Sequence, residues 1–283
     1  VSRVDLHLHS TASDGRLTPA ELVARAAGLG LEIIALTDHD TVDGVPEALA
    51  AARKFPGLSL IPGVEISTDL PAGEAHVLGY FIDYTAKDLT AQLRHFRDSR
   101  QGRARGMVAK LAELGMNLDW ERVREIAGEG SIGRPHVAQA MLEKGYVASF
   151  EEAFDKYIGH GGPAYVPREK LTPAEAVALI LDARGLPVLA HPFTVGDPEA
   201  MVKDLKLAGL IGLEVYYKDY SAGQIEQLDG LADKYGLITT GGTDYHGIEN
   251  NDEVMLGGTE VPLACAERLI ARADPRCRKL ANI

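Results

Sequence analysis

The chain is poor in several things, and each shortage excludes a class of protein. Only two of its 283 residues, Cys265 and Cys277, are cysteines. They lie near the end, away from every candidate ligand, so they make no disulfide framework and fit a reducing cytoplasm. Runs of apolar residues are all too short to span a bilayer, and the opening residues enter a strand at once, so neither a membrane span nor a secretory leader is expected. Basic residues are in the minority, 29 against 41 acidic ones, for a formal net charge of −12. That balance disfavours nonspecific attraction to nucleic acid or anionic membranes, and no stable nucleic-acid complex or membrane association is expected. Phosphorylated substrates stay open, because bound divalent cations reverse the local field. Tandem repeats and low-complexity tracts are also missing. The remaining composition, 46% hydrophobic and 25% charged, is that of an ordinary globular protein with a sizeable core, in one large domain or a domain with an insertion.

What is present begins with the stretch Val4-Asp5-Leu6-His7-Leu8-His9. Side chains in a strand alternate, so Val4, Leu6 and Leu8 share one face and Asp5, His7 and His9 the other. Two imidazoles two residues apart can converge on one cation; taken alone, a surface strand carrying two histidines by accident reads the same. The rest of the chain repeats the device, setting ligand types after apolar runs. Ile33–Leu36 leads to Asp38-His39, Leu58–Val64 to Glu65, and Leu186–Ala190 to His191-Pro192. Leu237–Thr243 leads to Asp244-Tyr245-His246, and His76 sits inside the strand-like 74–80. Catalytic groups gathered at several strand ends are the habit of barrels built from strand–helix units.

Thr18-Pro19-Ala20-Glu21 opens a helix with a capping box and proline at its first position, and Thr172-Pro173-Ala174-Glu175 repeats it. Strand and helix alternate over 1–84 and again over 163–260, which predicts a parallel sheet, and ligands from at least six strand ends favour closing it into a barrel. Residues 85–162 carry helical periodicity only (Leu89, Leu93, Phe96; Met107, Leu111, Leu114) and read as an inserted helical lid domain, leaving 1–84 and 163–283 as the barrel. Residues 264–270 read as a helix, and the tail after Pro275 as loosely held.

Together, Asp5–Ser10 with Ser13-Asp14-Gly15, Thr37-Asp38-His39-Asp40, Gly63-Val64-Glu65, His76, Ala190-His191-Pro192 and Thr243–His246 resemble the PHP (polymerase and histidinol phosphatase) family. The resemblance spans both halves of the chain in order. It implies a distorted seven-stranded TIM-like (β/α) barrel around two to three divalent metal ions. By motif, His7 and His9 would bind the first with Glu65 and Asp244. Glu65 would bridge to a second held by His76 and His191, and Asp14, His39 and His246 would hold the third. Asp14 also stands in an Asp-Gly pair, which is a common turn. Imidazoles mixed with carboxylates suit manganese, zinc or iron, with manganese expected here. Paired cations activate a shared water near neutral pH and neutralise phosphoryl oxygens during in-line attack. Asp38, beside His39, would either orient a ligand or pass a proton.

The insertion narrows the resemblance. Ser131–Ala138, with Gly133-Arg134-Pro135-His136, then Phe154–Tyr157 and Gly161–Pro167, look like the bacterial subgroup that removes the 3′-phosphate from nucleoside 3′,5′-bisphosphates, some members of which trim short 5′-phosphorylated RNA. The implied activity is that of a metal-dependent phosphoric ester hydrolase. A histidinol-phosphate-type phosphatase is the first alternative, and a silent PHP binding module the second. Arg134 could fork onto a phosphate, His136 could bind a second phosphate or protonate a leaving oxygen, and Lys156 is the weakest of the three candidates. Each also has a structural reading, as a helix-opening arginine, a satisfied histidine and an exposed lysine. Arg94, Arg97, Arg100, Arg103 and Arg105 read as a solvated basic face or as a track for RNA. Glu214 would assist the site or close a salt bridge, and Tyr216 and Tyr217 would stack a base or pack the barrel.

Overall fold

The computed structural model describes residues 2–70, 73–128, 132–167, 171–248 and 254–281; the side chain of Arg100 and the whole of Ser131 lie outside the described residues. The chain divides into two compact units, Val1–Gln92 with Lys170–Ile283 and Leu93–Glu169.

The first unit is built on seven strands: β1 (Val4–Leu8), β2 (Ile33–Leu36), β3 (Ser59–Leu70), β4 (Gly73–Tyr80), β5 (Leu186–Leu189), β6 (Gly212–Tyr217) and β7 (Ile238–Gly242). They follow one another in sequence order around one sheet. Between them run α1 (Pro19–Gly28), α2 (Val45–Ala52) and the start of α3 (Lys87–Glu113). Beyond the second unit's α4 (Trp120–Ala127), α5 (Arg134–Glu143) and α6 (Phe150–Ala153) come α7 (Pro173–Asp182), α8 (Pro198–Ala208), α9 (Ala222–Tyr235), α10 (Leu263–Arg272) and α11 (Pro275–Ala281). The capping boxes form as their sequences require. Thr18 Oγ1 accepts the Glu21 N–H at 3.3 Å while Glu21 accepts the Thr18 N–H at 2.9 Å, and Thr172 and Glu175 do the same. Each cap stabilises its helix by about 1 kcal/mol.

Most neighbouring strands are parallel, but β4 is antiparallel to both β3 and β5, which corrects the expectation of an all-parallel sheet. The reason is local. Only two residues separate β3 from β4, and Leu70 pairs with Gly73, so the chain turns back as a hairpin where a parallel return needs a crossover of a dozen residues or more. The reversal explains His76. In a strand running the other way, the early residues lie at the end where the parallel strands finish.

The barrel is nearly closed by β1 and the segment after β7. Leu8 bridges Tyr245 in parallel, and the His9 N–H donates to Tyr245 O at 3.0 Å. Asp5, fully buried, stitches this seam: its carboxylate accepts the Thr243 N–H (3.0 Å), the Thr243 hydroxyl (2.7 Å) and the Gly257 N–H (2.9 Å). Gly242 permits the approach, since a Cβ there would stand 2.5 Å from both the backbone nitrogen and the Cβ of His7. Val4, Leu6, Ala35, Leu78, Tyr80 and Val188 pack in one cluster with Cys265, Ala266 and Leu269 of α10 and with Cys277 and Ala281 of α11. The tail is therefore not loose: α11 buries Cys277 and Ala281 as part of the core.

The second unit packs its own core from Met107, Leu111, Val123, Val137, Met141 and Ile158. The division between the units falls within α3, not at its start. Among the described residues, no helix is long and apolar enough to cross a membrane.

The seam yields a direct test. Gly242→Ala forces a methyl onto β1 backbone and is expected to destabilise the fold by about 1–3 kcal/mol, read as a lower denaturant midpoint; an unchanged midpoint would show that β1 and β7 have slack.

Candidate metal centre

The strand ends deliver one constellation. β1 supplies His7, the residue just past it is His9, the turn beyond holds Asp14, and the residues after β2 supply His39. Glu65 comes from the middle of β3 and His76 from β4. His191 follows β5, and Asp244 and His246 follow β7. Glu65 is the hub, with a fully buried side chain. Its Oε2 lies 3.2 Å from His7 Nε2, 3.3 Å from His9 Nε2 and 3.0 Å from His39 Nδ1. Its Oε1 lies 2.8 Å from His76 Nδ1 and 3.0 Å from His191 Nε2. Asp244 Oδ1 faces His9 Nε2 at 3.0 Å and His7 Nε2 at 3.4 Å. Asp14 Oδ1 is 3.4 Å from His246 Nε2, and its Oδ2 3.8 Å from His39 Nε2.

Among the described residues, three overlapping groups present donor atoms within 4.8 Å of one another: His7, His9, Glu65 and Asp244; His39, Glu65 and His76; and His9, Asp14, His39 and His246. His191 stands beside the second group through Glu65. The donors fit a hard-to-borderline divalent cation. So does an observation on the imidazoles: both ring nitrogens of His9 and Nδ1 of His39 are buried without a hydrogen-bond partner. Buried polar atoms are normally satisfied, and orphans that face carboxylates are what ligand atoms look like.

Neighbouring groups set the tautomers. Glu214, fully buried on β6, accepts from His7 Nδ1 at 2.9 Å through Oε1 and from the His191 N–H at 2.7 Å through Oε2. That turns the His7 Nε2 lone pair towards Glu65 and Asp244. Thr194 donates its hydroxyl to His191 O, so its oxygen accepts from His191 Nδ1 at 3.2 Å, leaving His191 Nε2 to face Glu65. His246 Nδ1 donates to Asp244 O at 2.9 Å, leaving Nε2 towards Asp14. Asp38 holds the turn after β1: Oδ1 accepts the Ser10 N–H and the Ser13 hydroxyl, and Oδ2 the Ser10 hydroxyl, each at 2.7 Å. Its carboxylate belongs to none of the three donor groups.

Backbone strain marks the same place. His191 and Asp244 hold φ of 26° and 49°, and Asp40, next to His39, holds 52°. Such conformations cost about 1–3 kcal/mol each and persist where surrounding contacts over-determine them. The electrostatics are those of a mixed cluster. Burial disfavours the charge on Glu65, but His39, His7 and His76 outweigh it and hold the carboxyl well below its usual range. Burial likewise opposes His9 and His76, yet the carboxylates beside them raise the imidazoles to about 10 and about 9. In His39 burial wins, lowering it to about 4.

The second unit places the other candidates. Arg134 opens α5 with its guanidinium 5.4 Å from the Phe154 ring centre. His136 Nδ1 accepts the Gly133 N–H at 2.9 Å and closes the same helix start. Lys156 pairs with Glu152 at 2.8 Å on the surface. Of the arginines on α3, Arg103 donates to Val166 O at 2.8 Å and lies over Tyr165, and Arg105 lies over Trp120, so these two carry structure. Glu214, left open by sequence, is part of the centre. Nothing in the sequence marks Lys218, yet its Nζ is 3.1 Å from Asp244 Oδ2.

Residues 5–159 match the PHP domain, more than half of the chain. The chain belongs to the PHP family. It is 35% identical over 87% of its length to the 3′,5′-nucleoside bisphosphate phosphatase of Chromobacterium violaceum, covering 88% of that protein. The 5′-3′ exoribonuclease of Haemophilus influenzae is 35% identical over 86% of the chain and 90% of its own. A Bifidobacterium adolescentis structure designated a metal-dependent phosphoesterase superposes with a TM-score of 0.81 at 29% identity, covering 96% of both chains. This PHP protein is accordingly a metal-dependent phosphoesterase.

Because the carboxylates beside His9 and His76 raise both imidazoles above neutral pH, an entering cation competes with their protons. Mn²⁺ affinity is expected to rise with pH from about 6 towards about 9, with proton release near pH 7. Calorimetric titration in two buffers of different ionisation enthalpy reads this; buffer-independent heats and a flat pH dependence would contradict it.

Proposed function

We propose that this phosphoesterase hydrolyses a phosphate ester of a small nucleotide, chiefly the 3′-phosphate of nucleoside 3′,5′-bisphosphates, with short 5′-phosphorylated RNA as a second substrate. The observation that carries the proposal is the set of three donor groups joined pairwise through Glu65, His9 and His39, in a chain most of whose length aligns with a bisphosphate phosphatase. His7, His9, Glu65 and Asp244 would hold one divalent ion, Glu65, His76 and His191 a second, and Asp14, His39 and His246 a third, with manganese the expected ion and zinc or iron compatible with the same donors. When bound, such ions neutralise phosphoryl oxygens and activate water for in-line attack.

The chain's own residues do the rest. Glu65 supplies one buried anion to neighbouring groups, which holds their ligands in a fixed relation. Glu214, Thr194 and the Asp244 carbonyl keep His7, His191 and His246 in the tautomers that present Nε2. Asp38 fixes the turn carrying Asp14, which supports the orienting role over proton transfer. Arg134 would fork onto a substrate phosphate. His136, whose Nδ1 accepts the Gly133 N–H, would meet a phosphate or a leaving oxygen through its other ring nitrogen. Lys156, held by Glu152, contributes least. The free, buried Cys265 and Cys277 support a reducing, cytoplasmic setting.

With Mn²⁺ present, phosphate release should be fastest from adenosine 3′,5′-bisphosphate, measured against AMP, histidinol phosphate and a short 5′-phosphorylated RNA. Preference for histidinol phosphate would retain the centre and refute the nucleotide reading. Glu65→Ala and His191→Ala should abolish turnover in a folded protein, and wild-type rates in either would remove the shared-ligand assignment. Arg134→Ala should raise KM for the bisphosphate far more than for an aryl phosphate; equal effects would remove the clamp.

A further inference from the structure

The end of β6 holds two side chains that the reading above leaves without a task. Tyr217 donates its hydroxyl to Asp244 Oδ2 at 2.8 Å, and Lys218 Nζ reaches the same oxygen at 3.1 Å and the Asp244 carbonyl at 3.4 Å. The other carboxylate oxygen, Oδ1, is the one turned to His7 and His9. The two oxygens of Asp244 are thus divided, one to the donor group and one to a hydroxyl and an ammonium. The contact is shielded, with side-chain exposures of 19% for Lys218 and 15% for Asp244. A partly buried ammonium at the rim of a site for divalent cations is electrostatically costly unless it is tied to an anion, and Asp244 is that anion.

The backbone shows how the pair gets there. Side chains three apart on a regular strand point to opposite faces, yet Glu214 and Tyr217 both reach the centre. The pairing of β6 with β7 slips between Glu214 and Tyr216, so the irregularity re-aims Tyr217. Asp244, with its left-handed backbone, meets it there.

We infer that Tyr217 and Lys218 are positioning residues that lock Asp244 as a one-oxygen metal ligand, by occupying Oδ2 so that only Oδ1 is presented. This rests on the reading of Asp244 as a ligand. Without the clamp, the carboxylate is free to rotate or to offer both oxygens, and the pre-set geometry is lost.

The test reads Mn²⁺ binding itself, by equilibrium dialysis of the whole chain, with melting temperature followed in parallel. Lys218→Met should weaken one equivalent of Mn²⁺ by about tenfold, the usual scale for a partner of a metal ligand. Lys218→Arg should restore most of the affinity, because it keeps a donor cation on Oδ2. Tyr217→Phe should give a smaller loss in the same direction, and it keeps the ring packing if Lys218→Met folds poorly. The deciding arm is a double-mutant cycle. Lys218→Met added to Asp244→Asn should cost nothing further if the lysine acts through Asp244. Unchanged Mn²⁺ binding in Lys218→Met and Tyr217→Phe, or an undiminished loss in the Asp244→Asn background, overturns the clamp. Wild-type Mn²⁺ binding by Asp244→Asn alone instead overturns the ligand assignment beneath it, so the two failures are distinct.

Discussion

A carboxylate without exposed surface, Glu65, faces five imidazoles, and the centre depends on that arrangement. Burying a lone carboxylate or clustering histidines is unfavourable; each is tolerable here because the other is present. The arrangement also dictates architecture. Five rings converge on two oxygens only if they come from several elements, here β1, β4 and the residues after β1, β2 and β5. The barrel is the scaffold that brings those ends to one point, and β3 places Glu65 in the middle of it.

Much of this was legible in the sequence because ligand types followed apolar runs. His7 and His9 by alternation, and His39, His191 and Asp244 by their place after a strand, needed only period and position. The capping boxes at Thr18 and Thr172 marked their helices equally plainly. His76 was visible as a ligand type but not as evidence for a reversed strand, although the stretch between Glu65 and His76 is too short for a crossover between parallel strands and carried that information.

What stayed hidden has physical reasons. The slip in β6 breaks the alternation by which a reader would have put Glu214 and Tyr217 on opposite faces. Lys218 looks like any lysine after a strand until Asp244, far along the chain, is folded against it. Asp5 sat on the polar face of β1 beside two histidines, yet its partners are Thr243 and Gly257, and no local pattern announces a carboxylate that closes a seam. The arginines on α3 ran the opposite way: the run read as a solvated basic face or as a track for RNA, whereas Arg103 and Arg105 lie over Tyr165 and Trp120 inside their own unit. The tail after Pro275 lacked an obvious apolar stripe, and its buried contacts come from small residues, Cys277 and Ala281, which periodicity weighs lightly.

The seam at Asp5 sets the order in which the molecule can be completed. Its hydrogen-bond partners lie 238 and 252 residues further along the chain. A ribosome that has made β1 must make nearly everything else before that carboxylate finds its donors. Until then the Asp5 carboxylate lacks the donors that satisfy it in the finished seam. Contacts of such long range are slow to form. Joining the first strand to the segment after the last is what sets His9 beside Asp244, so that part of the centre draws on both ends of the barrel at once.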